Sequence, residues 1–275
     1  MALAYRPSHQ DTIKCCTAGE SATFDLHNPS SVNQIQPLFL VLALLAEILG
    51  TVGGFGSSVF FVPIGSFYFD FQSVLGLTAL FHLSSNLSKL LLFKNGINVK
   101  ILVQLGLPAV VFVVLGSWAS RFLNTQILQA ALGVFLVALS LLFLIKKQLV
   151  LKATLRNSVV GGSLSGFSAG LLGTGGAIRG LTMSAFNLEK SVFIATSALI
   201  DLIIDLSRTV VYWSNGYLHK HDLIYLPFLV VVGLLGTWLG KKILVYLPQE
   251  KFRTISLVLI LVIGLVTLGS FVWPD

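Results

Sequence analysis

The chain has 275 residues, 55% of them hydrophobic and 11% charged, with a mean hydropathy of +0.88 and a formal net charge of +7. A soluble domain carries about 25% charged residues, so this chain cannot clothe a water-facing surface, and its main solvent is expected to be lipid. The positive charge does not point to nucleic acid, because most of it lies in short loops between hydrophobic runs, where the positive-inside rule puts it.

The first stretch, residues 1–36, reads as a polar tail or surface helix. It lacks the basic start and apolar run of a signal peptide. Its adjacent Cys15 and Cys16 offer no spacing for a structural disulfide or a zinc site. Eight hydrophobic segments follow, at 37–69, 72–93, 99–120, 126–145, 157–186, 190–213, 222–245 and 253–272. Each is long enough for a hydrocarbon core of about 30 Å. An outer-membrane barrel fits poorly, because its strands alternate apolar and polar residues whereas Leu132 to Ile145 is almost continuously apolar. The expected fold is an all-α, multi-pass integral membrane protein, placed in a bacterial inner membrane.

Segments 1 and 5 are too long for one simple crossing. Each is interrupted by glycine, at Gly53-Gly54-Phe55-Gly56 and at Gly173-Thr174-Gly175-Gly176. The halves 37–150 and 151–275 also match each other. Gly54-Phe55-Gly56 corresponds to Gly173-Thr174-Gly175, Leu87-Ser88-Lys89 to Leu206-Ser207-Arg208, and Asn95-Gly96 to Asn215-Gly216. Leu107-Pro108 corresponds to Leu226-Pro227, and Gly116-Ser117-Trp118 to Gly236-Thr237-Trp238. Duplication with glycine-broken segments at equivalent places is a signature of secondary transporters. If all eight segments simply cross, Lys and Arg divide almost evenly between the two sides. If segments 1 and 5 instead enter and return as hairpins, Lys94, Lys100, Lys146, Lys147, Lys152, Arg156, Lys190, Lys241, Lys242, Lys251 and Arg253 share one side. Arg6, Lys14, Arg121 and Lys220 then hold the other. The second arrangement makes the repeats inverted, puts both termini outside the cytoplasm, and is preferred.

These features resemble the sulfite exporter TauE/SafE family of membrane permeases. The resemblance rests on Gly50-Thr51-Val52-Gly53-Gly54-Phe55-Gly56 with Pro63 after it, on Gly170-Leu171-Leu172-Gly173-Thr174-Gly175-Gly176, and on the Asn-Gly loops, over about residues 37 to 272. It implies export of sulfite, sulfonates or other small organic or sulfur-containing anions.

The residues themselves supply candidates for such a site. A broken helix frees backbone N–H groups at its positive end, and glycine lets an anion approach them. Gly53, Gly54, Gly56, Gly173, Gly175 and Gly176 are therefore candidate binding residues, with Ser57, Ser58 and Thr174 as hydroxyl donors. His82, Asn86 and Lys89 stand at i, i+4 and i+7, and Asp201, Asp205 and Arg208 repeat that spacing, which puts each trio on one helix face. Lys89 and Arg208, with Arg179, are expected to attract the anion, and Asp201 or Asp205 to carry a proton. Glu47 is a further isolated carboxylate. The alternative readings are snorkelling of Lys89 and Arg208 to the interface, a structural i, i+3 pair of Asp205 with Arg208, a satisfied core histidine at His82, and headgroup anchoring by Arg179.

Gly166-Phe167-Ser168-Ala169-Gly170 has the hydrolase pattern G-x-S-x-G. No strand precedes it, and Gly162, Gly166 and Gly170 at spacing four read equally as a helix-packing stripe. His219 and His221 read as loop residues. No metal-ligand cluster and no cofactor motif is recognised. The expected function is secondary transport of a small anion, with protons as a coupling partner and the lipid bilayer as surroundings. The alternatives are uptake or a channel in the same fold, and, from another class, an intramembrane enzyme or assembly factor. Composition and motifs leave oligomeric state open.

Overall fold

The computed structural model describes residues 36–54, 56–93, 96–146, 151–244, 246 and 249–272, with backbone alone at 249–253 and 270–272. The expected N-terminal tail with Cys15 and Cys16, and Phe55, Lys94, Asn95 and Lys147, lie outside these residues. All regular elements described are helical: α1 Pro37–Gly53, α2 Ser58–Gly65, α3 Phe71–Leu92, α4 Val99–Ser120, α5 Thr125–Ile145, α6 Leu155–Leu172, α7 Gly176–Ser184, α8 Lys190–Ser214, α9 Asp222–Ile243 and α10 Gln249–Val272.

Local chemistry sets the boundaries. Pro37 opens α1, where its missing N–H costs nothing. Asp70, Asn98, Asn124 and Thr154 cap α3, α4, α5 and α6 by accepting from the N–H groups of Gln72, Ile101, Ile127 and Asn157. Pro108 lies inside α4, and the turn before it, Leu102–Gly106, widens to π geometry, which accommodates the proline ring against the preceding carbonyls. Pro227 follows a 3-10 turn, Asp222–Tyr225, at the start of α9. Gly54 and Gly173 end α1 and α6 in the left-handed conformation, at φ 72° and 75°, which a side chain adopts only with strain.

Segments 1 and 5 are each two helices. Phe39, near the start of α1, lies 5.0 Å from Phe69 and 5.3 Å from Tyr68 between ring centroids, beyond the end of α2. The chain therefore runs in along α1 and returns along α2. A Cβ on Gly161 of α6 would stand 2.1 Å from Thr182 Oγ1 near the end of α7, so α6 and α7 form a second returning pair.

Among the described residues, three helices, α4, α5 and α9, are both long and apolar enough to cross a membrane, and Pro37–Gly53 and Thr254–Gly269 are shorter apolar stretches. Helices α3 and α8, with 22 and 25 residues, have the length of a crossing at about 1.5 Å per residue. They carry the polar residues that line the interior. The two run antiparallel through the middle of the bundle: Ser73 reaches His219, Asn86 reaches Asp205, and Thr196 receives the N–H of Asn98.

Small residues let the remaining helices close on one another. Cβ atoms on Gly162, Gly166 and Gly170 of α6 would stand 2.2, 2.0 and 2.2 Å from the carbonyl oxygens of Leu105, Ala109 and Val113. Helices α4 and α6 thus pack backbone to backbone, as the glycine stripe predicts. Ser168, within that stripe, donates to Leu164 and Ser165 carbonyls of its own helix. In the same manner Gly236 and Gly240 of α9 receive Glu47 and Thr51 of α1. Helices α5 and α10 pack together, and α3 also meets α9 as α4 meets α8.

These contacts fix which ends share a face. The start of α1, the 66–70 turn and the α8–α9 loop lie at one end, joined by the Phe39–Tyr225 and Ser120–Tyr217 contacts. The α3–α4 connection and the end of α9 lie at the other, where Lys241 donates to the Leu92 carbonyl. Among described residues, Lys100, Lys146, Lys152, Arg156, Lys190, Lys241 and Lys242 fall at this second end, and Arg121 and Lys220 at the first.

Candidate functional site

The tips of the two returning pairs meet in the middle of the bundle. Ser58 Oγ donates to Thr174 Oγ1 at 3.2 Å, and a Cβ on Gly56 would lie 3.7 Å from Gly176 Cα. The N-terminal ends of α2 and α7 therefore converge, and the first-turn N–H groups of a helix have no acceptor within it. They open on a narrow cleft lined by Gly56, Ser57, Ser58, Gly173, Gly175 and Gly176 from the turns. From α3 come His82, Asn86 and Lys89, from α7 Arg179, and from α8 Asp201, Asp205 and Arg208. Thr174 is buried beside it.

A second cavity shares Gly56, Asn86, Lys89, Arg179 and Asp201 with the first. It continues between Gly50, Thr51 and Gly54 of α1 and Phe193, Ile194 and Ser197 of α8. Those α8 residues lie toward the lysine-rich end. Of the sequence candidates, Gly53, Thr174 and Glu47 belong to the lining of neither cavity.

Three cations meet three carboxylates here. Lys89 Nζ is 3.0 Å from Glu47 Oε1 and 3.0 Å from Ser85 Oγ. Arg179 holds Asp201 through both terminal nitrogens, while its Nε donates to Ser197 Oγ at 3.0 Å. Arg208 Nη2 is 2.7 Å from Asp205 Oδ1, and its Nη1 donates to the Ala169 and Gly173 carbonyls at 3.1 and 3.0 Å. Those carbonyls end α6, so Arg208 neutralises the negative end of that helix. Arg208 Nε is buried with no hydrogen-bond partner among the described residues.

The i, i+3 pair of Asp205 with Arg208 is thus present, and it lines the cleft as well. Snorkelling is not what the geometry shows: Arg208 is 1% exposed and the Lys89 side chain 12%. With His82 neutral, the six charged side chains cancel. What remains is the positive potential of two helix ends.

Sequence reasoning missed how the walls are joined. Glu47, noted there only as an isolated carboxylate, is fully buried and accepts from Ser57 Oγ at 2.5 Å, Thr51 Oγ1 at 3.1 Å and Thr237 Oγ1 at 3.0 Å. Thr237 lay inside one of the matched repeat motifs, and Ser85 shares the helix face of His82 and Lys89. Both signals were available. The Glu47–Thr237 contact, 190 residues apart, was not.

Ser57 Oγ also lies 3.0 Å from His82 Nε2, and His82 Nδ1 lies 4.0 Å from Asp205 Oδ2. Asn86 Nδ2 donates to the same Asp205 oxygen at 2.8 Å. A serine beside a histidine is the pair a nucleophilic enzyme needs. Here the serine hydrogen is directed at Glu47, so the imidazole Nε2 is assigned as donor to Ser57. That orientation makes Ser57 a link between a carboxylate and an imidazole.

Residues 39–267 match the family model described as "Sulfite exporter TauE/SafE". The chain belongs to the sulfite exporter TauE/SafE family. It is also similar to a probable membrane transporter protein of Methanocaldococcus jannaschii, at 25% identity over 253 residues, covering 83% of this chain and 94% of the relative. Family membership and this relative make the chain a multi-pass membrane transporter, and they point away from an enzyme.

Proposed function

We propose that this TauE/SafE protein is a secondary transporter of a small anion, sulfite or an organosulfonate, and that it exports the anion together with a proton across a bacterial inner membrane. One observation carries the reading: the N-terminal ends of α2 and α7 and the side chains of Lys89, Arg179 and Arg208 converge on a single cleft. Backbone amides at such ends bind oxyanions, and low-dielectric surroundings strengthen the attraction.

The charge balance supports proton coupling. Three cations are already matched by Glu47, Asp201 and Asp205, so an entering anion leaves the buried site one charge short unless a proton accompanies it. With Nε2–H given to Ser57, neutral His82 turns the lone pair of Nδ1 toward Asp205 Oδ2, two acceptors 4.0 Å apart. One proton on Nδ1 or on Asp205 turns that repulsion into attraction. His82 joins Asp205 on one side to Ser57 and Glu47 on the other, and this chain spans the cleft.

The halves 37–150 and 151–275 are read as inverted repeats, so that α1 to α5 correspond to α6 to α10. The packing pairs support this, because exchanging the halves maps them onto themselves: α1 with α9 onto α6 with α4, and α3 with α9 onto α8 with α4. Pairs α3 with α8 and α5 with α10 map onto themselves directly. Two such bundles rocking about a central site give alternating access. Placing the lysine-rich end in the cytoplasm makes the second cavity the cytoplasmic entrance.

The test is flux of labelled sulfite from proteoliposomes bearing wild type, Lys89→Ala or Arg208→Ala. Wild type is expected to release sulfite or a sulfonate. Each variant is expected to lose at least about tenfold, since a hydrogen bond to a charged group is worth roughly 1.5–3 kcal/mol. Absence of flux for every sulfur oxyanion and sulfonate tried overturns the substrate assignment. Flux inward against a gradient establishes uptake, and saturation-free flux a channel.

A further inference from the structure

A second cluster of donor atoms lies outside the transport cleft, on the loop that joins α8 to α9. Its sequence is His219-Lys220-His221-Asp222. The Asp222 side chain is 4% exposed, whereas His219 and His221 are 46% and 55% exposed. Asp222 Oδ1 stands 3.2 Å from His221 Nε2, and Oδ2 stands 3.5 Å from His219 Nδ1. That Oδ2 is buried and has no hydrogen-bond partner among the described residues. One donor atom of each residue lies within 4.8 Å of the other two.

We propose that His219, His221 and Asp222 form a binding site for a divalent transition metal of the zinc type, at the end of the bundle opposite the lysine-rich one. Zinc bonds of about 2.0–2.1 Å in a tetrahedron set donor atoms about 3.3 Å apart. The two carboxylate–imidazole separations, 3.2 and 3.5 Å, are close to that value but run to different oxygens of Asp222. The carboxylate and the two exposed rings, stacked at 5.4 Å and 18°, therefore have to turn to bring both nitrogens to one metal.

Two imidazoles and a carboxylate suit zinc and its neighbours, and leave a fourth position for water. Calcium and magnesium ask for oxygen ligands throughout. The buried carboxylate supplies the anionic ligand that draws the cation, while exposed Lys220 can extend its ammonium into water. Ser73 Oγ, 2.9 Å from His219 Nδ1, gives up that bond on metal entry.

The position gives the site a consequence. Ser73 belongs to α3, and a Cβ on Gly76 one turn on would meet Leu218 and the Tyr217 carbonyl. The loop is therefore seated on the end of α3, and α3 and α8 are the helices whose middles line the cleft. A metal that stiffens the loop restrains α3 against α8 and slows exchange. This effect rests on the transport reading; the binding does not.

The experiment uses the full chain, purified metal-free in detergent at one fixed pH, with Cys15→Ser and Cys16→Ser to remove the thiols. Zinc is titrated by calorimetry and by thermal unfolding. The expected result is saturable binding of one Zn²⁺ per chain at micromolar concentration, with a raised midpoint. His219→Gln/His221→Gln is expected to lose both effects and to keep zinc-free sulfite flux, because neither residue lines the cleft. Asp222→Asn should weaken binding while leaving one ring pair. No saturable binding to the parent chain, or undiminished binding to the double histidine variant, overturns the site. Zinc added outside proteoliposomes is expected to slow flux only when both histidines are present. Binding without slowing overturns the restraint.

Discussion

Lys89, Arg179 and Arg208 each meet a carboxylate inside the bundle, and this pairing makes them tolerable there. Removing one partner of a buried pair leaves an uncompensated charge and costs about 3–5 kcal/mol. Glu47→Gln is accordingly expected to lower the unfolding midpoint in detergent markedly. Glu47→Gln/Lys89→Met should recover much of the loss, and a double variant as damaged as the sum of the singles would show the pair to be unimportant. Ser57→Ala tests the relay separately from stability. It keeps every formal charge but cuts the link from His82 to Glu47. Proton-driven flux should fall about 10²-fold, the lower end of what a positioned proton-transfer group contributes, while sulfite binding measured by calorimetry is retained. Equal loss of binding and flux would make Ser57 a ligand only.

Among the helices, glycine does two different jobs, and substitution separates them. Gly166 sits against the Ala109 carbonyl, where even a Cβ would stand at 2.0 Å. Gly166→Val should separate α4 from α6 and cost more than the roughly 1–3 kcal/mol typical of overpacking, read as loss of monodisperse protein. Gly269→Ala in α10, with nothing within 4 Å of its added Cβ, is the matched control and should be silent. Gly54→Ala also meets nothing, but its φ of 72° should cost about 1–2 kcal/mol through backbone strain alone.

These element-level features were legible because glycine and helical spacing are local. The breaks after Gly53 and before Gly176, the stripe at Gly162, Gly166 and Gly170, and the shared face of His82, Asn86 and Lys89 can all be read from neighbours in sequence. The pairing of Lys89 with Glu47, the capping of α6 by Arg208 and the junction of Ser58 with Thr174 could not. Each depends on how helices far apart in sequence come to lie side by side, and the carboxylate partners available within the chain left several pairings equally open.

For the whole molecule, loop charge favours returning segments, and the Phe39–Phe69 contact describes such a return for the first. Orientation can be checked directly. Cysteines introduced at Lys152 and Lys190 in a Cys15→Ser/Cys16→Ser background should resist an impermeant maleimide added to intact cells, and cysteines at Arg121 and Lys220 should react. The opposite pattern would reverse the bundle in the membrane and turn the proposed cytoplasmic entrance outward.

The account stands most directly on where the anion sits. An experimental structure with selenite, a heavier analogue of sulfite located by its anomalous signal, should place the anion between the first turns of α2 and α7, within hydrogen-bond reach of amides from both and beside Arg208. Selenite bound elsewhere, with the cleft between Ser58 and Gly176 closed and empty, would contradict it.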